Sequence, residues 1–234
     1  LAGKGDLVPS IENPEKYIKN NTFGTLRILE LSKNLSLKKF IYAASSTCYG
    51  ISKYPTHENE EIKCEHPYAL SKYLGEELVM HWAKVYKMNV NSIRIFNAYG
   101  PRVKTTGVYG AVFGVFFKQR LENEPLTIVG NGNQKRDFIN VKDVAEALYK
   151  AAVSKVKNEI FNLGFGKPTS VNNLAKLISK KRVFIPKRPG EPNVTFANIK
   201  KIKKKLNWSP KVQFHDGVNE MLKDIEMWRD APLW

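Results

Sequence analysis

Short apolar runs alternate with longer segments of helical periodicity along most of this chain. The apolar runs cover residues 38–46, 89–100, 125–130 and 159–166. The segments of helical periodicity cover residues 14–34, 67–88, 107–123, 140–152 and 170–181. Asn140 and Ser170 are expected to cap the last two of these helices. Short apolar runs between helices are typical of parallel strands that are covered on both faces. The alternation therefore predicts an α/β fold built on a parallel sheet.

The elements become shorter after about residue 100, which indicates two parts of unequal size. We expect residues 1–100 to form most of the main sheet with its helices. We expect residues 101–234 to form mainly a smaller lobe, with strand 159–163 returning to the main sheet. The sequence has no run of 18 apolar residues and no secretory leader, so we expect no membrane-spanning helix and no membrane partner.

The net charge of +16 comes mostly from 30 lysines that are distributed along the chain. The densest run is KKIKKKLNW at 200–208, and no nucleic-acid-binding motif accompanies it. We interpret the charge as a solvated surface, which is also compatible with a basic pocket for an anionic small ligand. Cys48 and Cys64 lack the spacing of metal ligands, so we expect no metal site and a reducing cytoplasm.

Two tyrosines are followed four residues later by a lysine, in the pairs Tyr49–Lys53 and Tyr68–Lys72. Chance predicts about 1.3 such pairs in a chain with 10 tyrosines and 30 lysines, so spacing alone is weak evidence. Glycine and proline near the first pair disfavour a helix there. The second pair opens a strongly periodic helix just after a proline, so both side chains are expected on one helix face. The apolar residues expected on one side of this helix are Leu70, Leu74, Leu78, Trp82 and Val85.

An ammonium beside a phenol favours the phenolate and lowers the tyrosine pKa from about 10, which suits a general base. The strand at 38–46 ends in small and hydroxyl residues, and ligands of parallel sheets bind beyond such carboxyl ends. Ser45, Ser46 and Asn97 are expected at that edge. We therefore expect hydroxyl, phenol and ammonium groups to meet at one reacting oxygen.

Five motifs then follow one another at familiar intervals. They are SSTCYG (45–50), YALSK (68–72), RIFNAYGPR (94–102), GNGNQKRDFINVKDVAEAL (130–148) and RPGEP (188–192). Together they resemble the extended short-chain dehydrogenase/reductase family, in its nucleotide-sugar epimerase and dehydratase branch, over nearly the whole chain. The resemblance implies a doubly wound, Rossmann-like sheet with a smaller substrate-binding lobe. It also implies NAD as cofactor and a nucleotide-diphosphate sugar, a UDP-sugar above all, as substrate.

The resemblance implies a role for each residue of the reacting group. Bound NAD takes a hydride from C4 of the sugar, while Tyr68 removes the proton of the C4 hydroxyl. Ser45 hydrogen-bonds the same oxygen, and Lys72 holds the nicotinamide ribose and tunes Tyr68. The 4-keto sugar then rotates and is reduced from its other face, or is first altered at a neighbouring carbon.

The resemblance also implies contacts to the cofactor and the substrate. The cofactor-binding residues are Ala2, Gly3, Asn21, Ala43, Tyr68 and Lys72. The substrate-binding residues are Ser46, Asn97, Phe116, Arg136, Arg188 and Glu191. The two arginines would hold the phosphates, Asn97 the diphosphate and Glu191 the ribose, while Phe116 would pack on the base. Taken alone, Arg136 could equally form a surface ion pair, and Phe116 could be a core aromatic residue.

The chain departs from the family pattern at two places. Ser46 and Thr47 occupy positions where the family's dehydratases carry an acidic pair, and its decarboxylases carry a glutamate at the position of Thr47. Hydroxyl groups do not readily supply the acid and base of those reactions, so epimerisation is favoured. The family also begins with a strand, a G-x-x-G-x-x-G turn and a helix that cradle the pyrophosphate. This sequence lacks that pattern, and about 60–80 preceding residues are expected by analogy.

Three explanations of the missing turn stay open: a shortened gene, a longer chain, or a second chain that supplies it. Three functions are accordingly compatible with the sequence. The first is an NAD-dependent epimerase, with dehydratase or decarboxylase activity as alternatives. The second is a non-catalytic protein that keeps the nucleotide-sugar pocket, and the third, resting on charge alone, is a nucleic-acid-binding module. The resemblance further implies a homodimer through the helix of Tyr68 and a neighbouring helix.

Overall fold

The computed structural model describes residues 1–101, 103, 112–186 and 192–228. Its strands are β1 (Phe40–Ser45), β2 (Val90–Ile95), β3 (Asn97–Tyr99), β4 (Leu126–Val129), β5 (Lys135–Arg136), β6 (Phe138–Asn140), β7 (Glu159–Leu163), β8 (Thr169–Ser170) and β9 (Arg182–Ile185). Its α-helices are α1 (Leu7–Glu12), α2 (Pro14–Tyr17), α3 (Gly24–Ser32), α4 (Pro67–Val85), α5 (Val112–Leu121), α6 (Val141–Val153), α7 (Val171–Ile178), α8 (Lys200–Leu206) and α9 (Phe214–Lys223). The order of these elements confirms the predicted α/β fold.

The main sheet has three parallel strands in the order β1–β2–β7. Alternate side chains of β1 enter two different hydrophobic clusters. Tyr42 and Ala44 pack with Val79 and Trp82 of α4, whereas Ile41 packs with a cluster that contains Ala147 of α6. Because neighbouring residues of a strand point to opposite faces, α4 and α6 cover opposite faces of the sheet.

The predicted N-caps of α6 and α7, Asn140 and Ser170, are confirmed. The Asn140 side chain accepts a hydrogen bond from the Lys142 backbone N–H at 2.9 Å, and α6 begins at the next residue. Ser170 does the same for the N–H of Asn173 at 3.2 Å before α7. Each cap satisfies one of the backbone donors that a helix start leaves without an intrahelical partner.

The single helix predicted over 14–34 is divided in the structure. It consists of α2, a π-helix over Ile18–Phe23, and α3. Asn21, near the middle of the π-helix, is buried and bonds to residues outside the segment. A π-helical turn rotates the helix face that follows it, which local periodicity does not reveal.

The predicted apolar face of α4 is partly wrong. The prediction placed Leu70, Leu74, Leu78, Trp82 and Val85 on one side. Trp82 is buried, but Leu70 and Val85 are 42% and 49% exposed. The helix instead turns small residues towards the sheet, and a side chain at Gly75 would collide with the Tyr42 hydroxyl. Close approach of the helix to the sheet therefore decides its orientation.

Phe113, Phe117, Phe138 and Leu174 are buried in a hydrophobic cluster separate from those of the main sheet. The segments that form this cluster are called the smaller lobe below. Two short parallel pairs, β3–β6 and β4–β9, and the antiparallel pair β5–β8 frame it. Strand β7 lies in the main sheet, beside β2. None of the helices in the described ranges combines the length and hydropathy that a membrane crossing requires.

Candidate active site

The carboxyl end of β1 carries the first reacting hydroxyl. Ser45 is the last residue of this strand, and a 3₁₀ turn over Ser46–Tyr49 follows it. The Ser45 Oγ atom accepts a hydrogen bond from the Thr47 backbone N–H at 3.3 Å and lies 2.9 Å from Thr47 Oγ1. This local side-chain bonding ends the strand and fixes the serine hydroxyl at the sheet edge.

Helix α4 brings the Tyr68 phenol to this hydroxyl. The Tyr68 Oη atom donates a hydrogen bond to Ser45 Oγ at 3.2 Å. Burial raises the pKa of Tyr68 above its ordinary value, and the hydrogen bond to Ser45 opposes that shift. The lowering of this pKa predicted from the sequence is therefore wrong for the protein as it stands, because loss of hydration outweighs the Ser45 hydrogen bond and the Asp6 carboxylate raises the pKa further.

Lys72 lies one turn further along α4, and its ammonium is directed to another neighbour. Its Nζ atom is 4.6 Å from the centroid of the Tyr42 ring, which is a cation–π geometry. The Tyr42 hydroxyl also donates to the Lys72 carbonyl at 3.1 Å. Loss of hydration lowers the pKa of Lys72 to about 8, although the Glu76 carboxylate raises it.

A turn near the start of the chain forms the opposite wall. Asn21 holds this turn, since its side chain accepts from the Lys4 N–H at 2.8 Å and donates to the Lys4 carbonyl at 3.0 Å. It also donates to Ser71 Oγ on α4 at 2.9 Å. A Cβ atom at Gly3 would lie 3.1 Å from Asn21 Oδ1 and 3.5 Å from Lys72 Nζ. Glycine thus leaves a gap beside the lysine ammonium.

Asn97 presents an amide on the substrate side. Its Oδ1 atom accepts a hydrogen bond from the Thr195 hydroxyl at 2.8 Å. No described residue accepts a hydrogen bond from its Nδ2 atom, so this donor is available to a ligand. Thr195, which orients the amide, was missed by the sequence analysis because it lies 98 residues away and belongs to no motif.

Arg136 and Phe116 are both buried, 8% and 1% exposed. Arg136 Nη1 donates to the backbone carbonyls of Lys135 and Pro192 at 2.9 and 2.8 Å. The carboxylates of Asp137 and Asp143 accept backbone N–H groups. Arg136 is therefore a buried side chain and not a surface one. Phe116 belongs to the hydrophobic cluster of the smaller lobe and also contacts the cavity.

One open cavity of about 1470 Å³ connects these groups. Every candidate site residue within the described ranges lines it. These residues are Ala2, Gly3, Asn21, Ala43, Ser45, Ser46, Tyr68, Lys72, Asn97, Phe116 and Arg136. Arg188 and Glu191 lie outside the described residues. The cavity is bounded by residues of both the main sheet and the smaller lobe.

The donors on the main-sheet side fit the nicotinamide–ribose half of NAD. A ribose offers hydroxyl groups, and Lys72 offers an ammonium that has no hydrogen-bond acceptor in the described part of the chain. The gap at Gly3 and the small side chain of Ala43 leave room for a ring beside it. These residues would hold the cofactor beside Tyr68.

The sequence profile of a family described as GDP-mannose 4,6-dehydratase matches residues 1–221. The chain belongs to this family. The match covers the Ser45, Tyr68 and Lys72 group and both walls of the cavity. The resemblance to the extended short-chain dehydrogenase/reductases, the Rossmann-like fold and the classification as an NAD-dependent enzyme of the nucleotide-sugar epimerase and dehydratase family are thereby confirmed.

Several relatives of this chain are named as epimerases, although the family description refers to a dehydratase. A putative UDP-glucose 4-epimerase of Methanocaldococcus jannaschii is 36% identical over 221 residues, which are 91% of this chain and 71% of the relative. A UDP-glucuronate 4-epimerase of Thermodesulfobacterium geofontis is 33% identical over 239 residues, which are 97% of this chain and 72% of the relative.

Solved structures of the family share the fold closely. A UDP-N-acetylglucosamine 4-epimerase of Methanobrevibacter ruminantium, in complex with UDP-N-acetylmuramic acid, superposes with a TM-score of 0.91 at 30% identity, over 95% of this chain and 74% of that one. A UDP-glucuronic acid 4-epimerase of Bacillus cereus, in complex with UDP-glucuronic acid and NAD, gives a TM-score of 0.88 at 29% identity, over 97% and 74%.

Proposed function

We propose that this chain is an NAD-dependent epimerase that inverts C4 of a UDP-sugar through a 4-keto intermediate. The observation that carries the proposal is the hydrogen bond of 3.2 Å from Tyr68 Oη to Ser45 Oγ at the cavity wall, with the Lys72 ammonium one turn away. The names of the two epimerase relatives and the ligands of the two solved structures support it.

When bound, NAD supplies the acceptor, and later the donor, of the hydride at C4. The protein's own part is proton transfer at the C4 oxygen. Ser45 Oγ accepts from the Tyr68 phenol and so fixes where the phenol oxygen stands. As the phenolate, Tyr68 receives the proton of the sugar hydroxyl, and as the resulting phenol it returns that proton when the opposite face is reduced. A protonated Lys72 lowers the cost of the phenolate, and its pKa of about 8 keeps most of it charged at pH 7.

The two parts of the chain divide the ligands in this proposal. Residues 1–100 hold the cofactor side with Gly3, Ala43 and Lys72. Residues 101–234 supply most of the nucleotide-sugar site. Asn97 Nδ2 and Arg136 are donors suited to a diphosphate, because charged and amide N–H groups bond strongly to phosphate oxygens.

The contacts proposed for the remaining ligand groups follow the family resemblance. Phe116 packs against the base, Arg188 binds phosphate, Glu191 binds the ribose, and Ser46 contacts the sugar. Ala2 belongs to the turn beside the cofactor, and Asn21 holds this turn in place.

Epimerisation rather than dehydration or decarboxylation is supported by the groups next to Ser45. Ser46 and Thr47 line the cavity with hydroxyls, and the Thr47 hydroxyl is engaged with Ser45 at 2.9 Å. Elimination of water from C5 and C6 needs an acid and a base beside the sugar, which these two residues do not supply.

The deciding experiment incubates the chain with NAD and, in separate reactions, UDP-glucose, UDP-galactose and UDP-glucuronate, and follows the sugar by proton NMR. The expected product is the C4 epimer. Tyr68→Phe should reduce turnover by about 100-fold or more, because it removes the proton-transfer group. Tyr149→Phe is the matched control, since Tyr149 is 66% exposed on α6.

Each other product would overturn the proposal in a defined way. A 4-keto-6-deoxy sugar would identify a dehydratase, and a pentose with release of CO₂ would identify a decarboxylase. UDP-sugar binding without turnover, measured by calorimetry with NAD present, would identify a non-catalytic nucleotide-sugar-binding protein.

We also propose that the chain works as a homodimer in the reducing cytoplasm. Helix α4 and its neighbour α3 carry Leu70 and Leu31, which are 42% and 68% exposed, and such side chains suit a helical interface. Two free thiols are compatible with a reducing compartment. Light scattering after size exclusion should give a molar mass twice that of the chain. The Leu70→Glu variant should have the mass of a single chain.

A further inference from the structure

The start of α4 is held by an unusual set of acceptors. Pro67 has no backbone N–H, so the first turn presents the donors of Tyr68, Ala69 and Leu70. The Tyr68 N–H donates to Ser10 Oγ at 3.1 Å. The Ala69 N–H donates to Nδ1 of His66 at 3.2 Å, and the Leu70 N–H donates to the His66 carbonyl at 3.1 Å. His66 therefore accepts two of the three donors.

The same histidine braces the phenol that the proposed reaction uses. The His66 ring lies 5.9 Å from the Tyr68 ring, with an angle of 14° between their planes. Tyr17 contacts the Tyr68 ring edge-on at 6.4 Å. The phenol is thus held between two rings while its oxygen reaches Ser45, and His66 fixes both the backbone and the ring of this residue.

An imidazole can accept a hydrogen bond at Nδ1 only when the proton of the neutral ring is on Nε2. Protonation of Nδ1 would place a donor against the Ala69 N–H. It would also place a positive charge at the positive end of the α4 dipole. Both effects oppose the observed cap, so the cap requires a neutral His66.

The surroundings of His66 favour that neutral form. Burial lowers the pKa of His66 below its ordinary value, while the Glu65 carboxylate in the same segment raises it. Glu65 Oε1 also accepts from the Ile51 backbone N–H at 3.2 Å. The titratable group of α4 that faces the His66 ring is Tyr68. Tyr68 in turn interacts with Asp6 and Tyr17, which precede α3 in the chain.

We propose that His66 is a positioning residue for Tyr68, which caps α4 and braces the phenol when neutral and releases both when protonated. The proposal rests on the proposed function for the role of Tyr68. Because folding favours the neutral ring, the cap is present at neutral pH. It is lost as the pH falls through the His66 pKa in the folded chain.

The first test needs neither cofactor nor substrate. NMR of the chain should give the His66 pKa from its ring carbons, and the Tyr68 ring signals should shift with the same midpoint. Hydrogen exchange of the Ala69 amide, corrected for its intrinsic pH dependence, should accelerate about fivefold or more across that midpoint, as loss of a helix cap predicts.

Two substitutions at His66 separate the cap from the ring. His66→Asn keeps a side-chain acceptor that does not titrate, so Ala69 protection should stay constant with pH. His66→Phe keeps a ring without the acceptor, so protection should be low at every pH. His215→Asn is the matched control, because the His215 side chain is 64% exposed and its contacts are with Asp216 and Asn219 of its own helix. It should behave like the unaltered chain.

The outcomes distinguish this proposal from the proposed function. If the chain epimerises UDP-sugars, kcat should fall on the acid side with the His66 midpoint, and His66→Asn should remove that limb without changing KM at neutral pH. If the chain has no epimerase activity but the NMR results hold, the positioning device stands and the reaction assignment fails. A His66 titration that leaves Tyr68 and Ala69 unchanged would overturn the proposal.

Discussion

At the scale of single residues, the ammonium of Lys72 lies against the face of an aromatic ring, that of Tyr42. The Tyr42 ring lies 4.6 Å from Lys72 Nζ, and desolvation lowers the lysine pKa to about 8. An aromatic face stabilises the ammonium by about 0.5–2 kcal/mol when water is excluded. We therefore expect Tyr42→Leu to lower the Lys72 pKa further, by about 0.4–1.5 units at 1.36 kcal/mol per unit.

The measurement is ¹³C NMR of reductively methylated lysines, with Lys72→Arg to assign the signal. Tyr42→Phe is the matched control, because it keeps the ring and loses the hydroxyl, with its bonds to the Lys72 carbonyl and to Thr25. The lysine pKa should be nearly unchanged in this variant. Equal pKa values in the Leu and Phe variants would show that the ring does not hold the ammonium.

At the scale of elements, a buried ion pair joins α4 to β2. Glu76 and Arg94 are 1% and 3% exposed, and Arg94 Nη2 lies 2.5 Å from Glu76 Oε1. The Ser92 hydroxyl donates to the other carboxylate oxygen at 2.6 Å, and Arg94 Nη1 donates to the Tyr49 hydroxyl at 2.7 Å. This network fixes the helix that carries Tyr68 and Lys72 against the central strand.

Glu76→Leu should lower the free energy of unfolding by about 3–5 kcal/mol, because it leaves the Arg94 charge buried without its partner. The double variant Glu76→Leu/Arg94→Met should recover much of this loss, since it removes both charges. Urea unfolding followed by circular dichroism measures both. A single variant within 1 kcal/mol of the unaltered chain would contradict the expected cost of an uncompensated charge.

Asp137, between β5 and β6, links this part of the chain to the loop after β7 and to the segment around Ala197, which packs against the main sheet. Its carboxylate accepts the backbone N–H groups of Phe165, Gly166 and Ala197. Burial nevertheless raises its pKa to about 6, although these donors lower it. Folding therefore favours the protonated acid. The contribution of this group to stability is largest below pH 4, declines as the pH rises to about 6, and then levels off.

We expect the ¹³C signal of the Asp137 carboxyl to titrate near pH 6, against about 4 for an exposed aspartate. The change in its contribution to unfolding free energy should be roughly 3 kcal/mol over this interval. Asp137→Asn identifies the signal. An ordinary titration near pH 4 would show that the N–H donors, and not desolvation, dominate the site.

The sequence predicted the elements whose signals are local. Strands β1, β2 and β7 were found from continuous apolar runs, and α6 and α7 from their caps. The face of α4 was not found, because it depends on how closely Gly75 approaches Tyr42 in the folded chain. The same limit applies to the site: Ser45 and Tyr68 were expected to meet, but the support of Asn97 by Thr195 crosses 98 residues.

At the scale of the whole molecule, the cavity has walls from both parts of the chain. Gly3, Ser45 and Lys72 line it from the main-sheet side, while Phe116 and Arg136 line it from the smaller lobe. A UDP-sugar that contacts both walls binds only the folded arrangement. It should therefore raise the melting temperature in proportion to the logarithm of its concentration.

The Asn97→Asp variant tests whether the UDP-sugar contacts the cavity wall at Asn97, and it changes one charge only. A carboxylate at this position can still accept the hydrogen bond from Thr195, so the fold should be retained. It replaces the Nδ2 atom, the proposed donor to the diphosphate, with a negatively charged oxygen. Loss of a hydrogen bond to a charged group costs about 1.5–3 kcal/mol, which is at least tenfold in affinity, and charge repulsion adds to it.

The expected result in calorimetry is a loss of at least tenfold in UDP affinity, while uridine, which has no phosphate, binds both proteins equally. Added salt should narrow the difference for UDP, because it screens the repulsion between the carboxylate and the phosphates. Equal loss of both ligands would indicate a damaged pocket. Unchanged UDP binding would place the diphosphate away from Asn97 and leave Arg136 as the donor that joins the smaller lobe to the nucleotide.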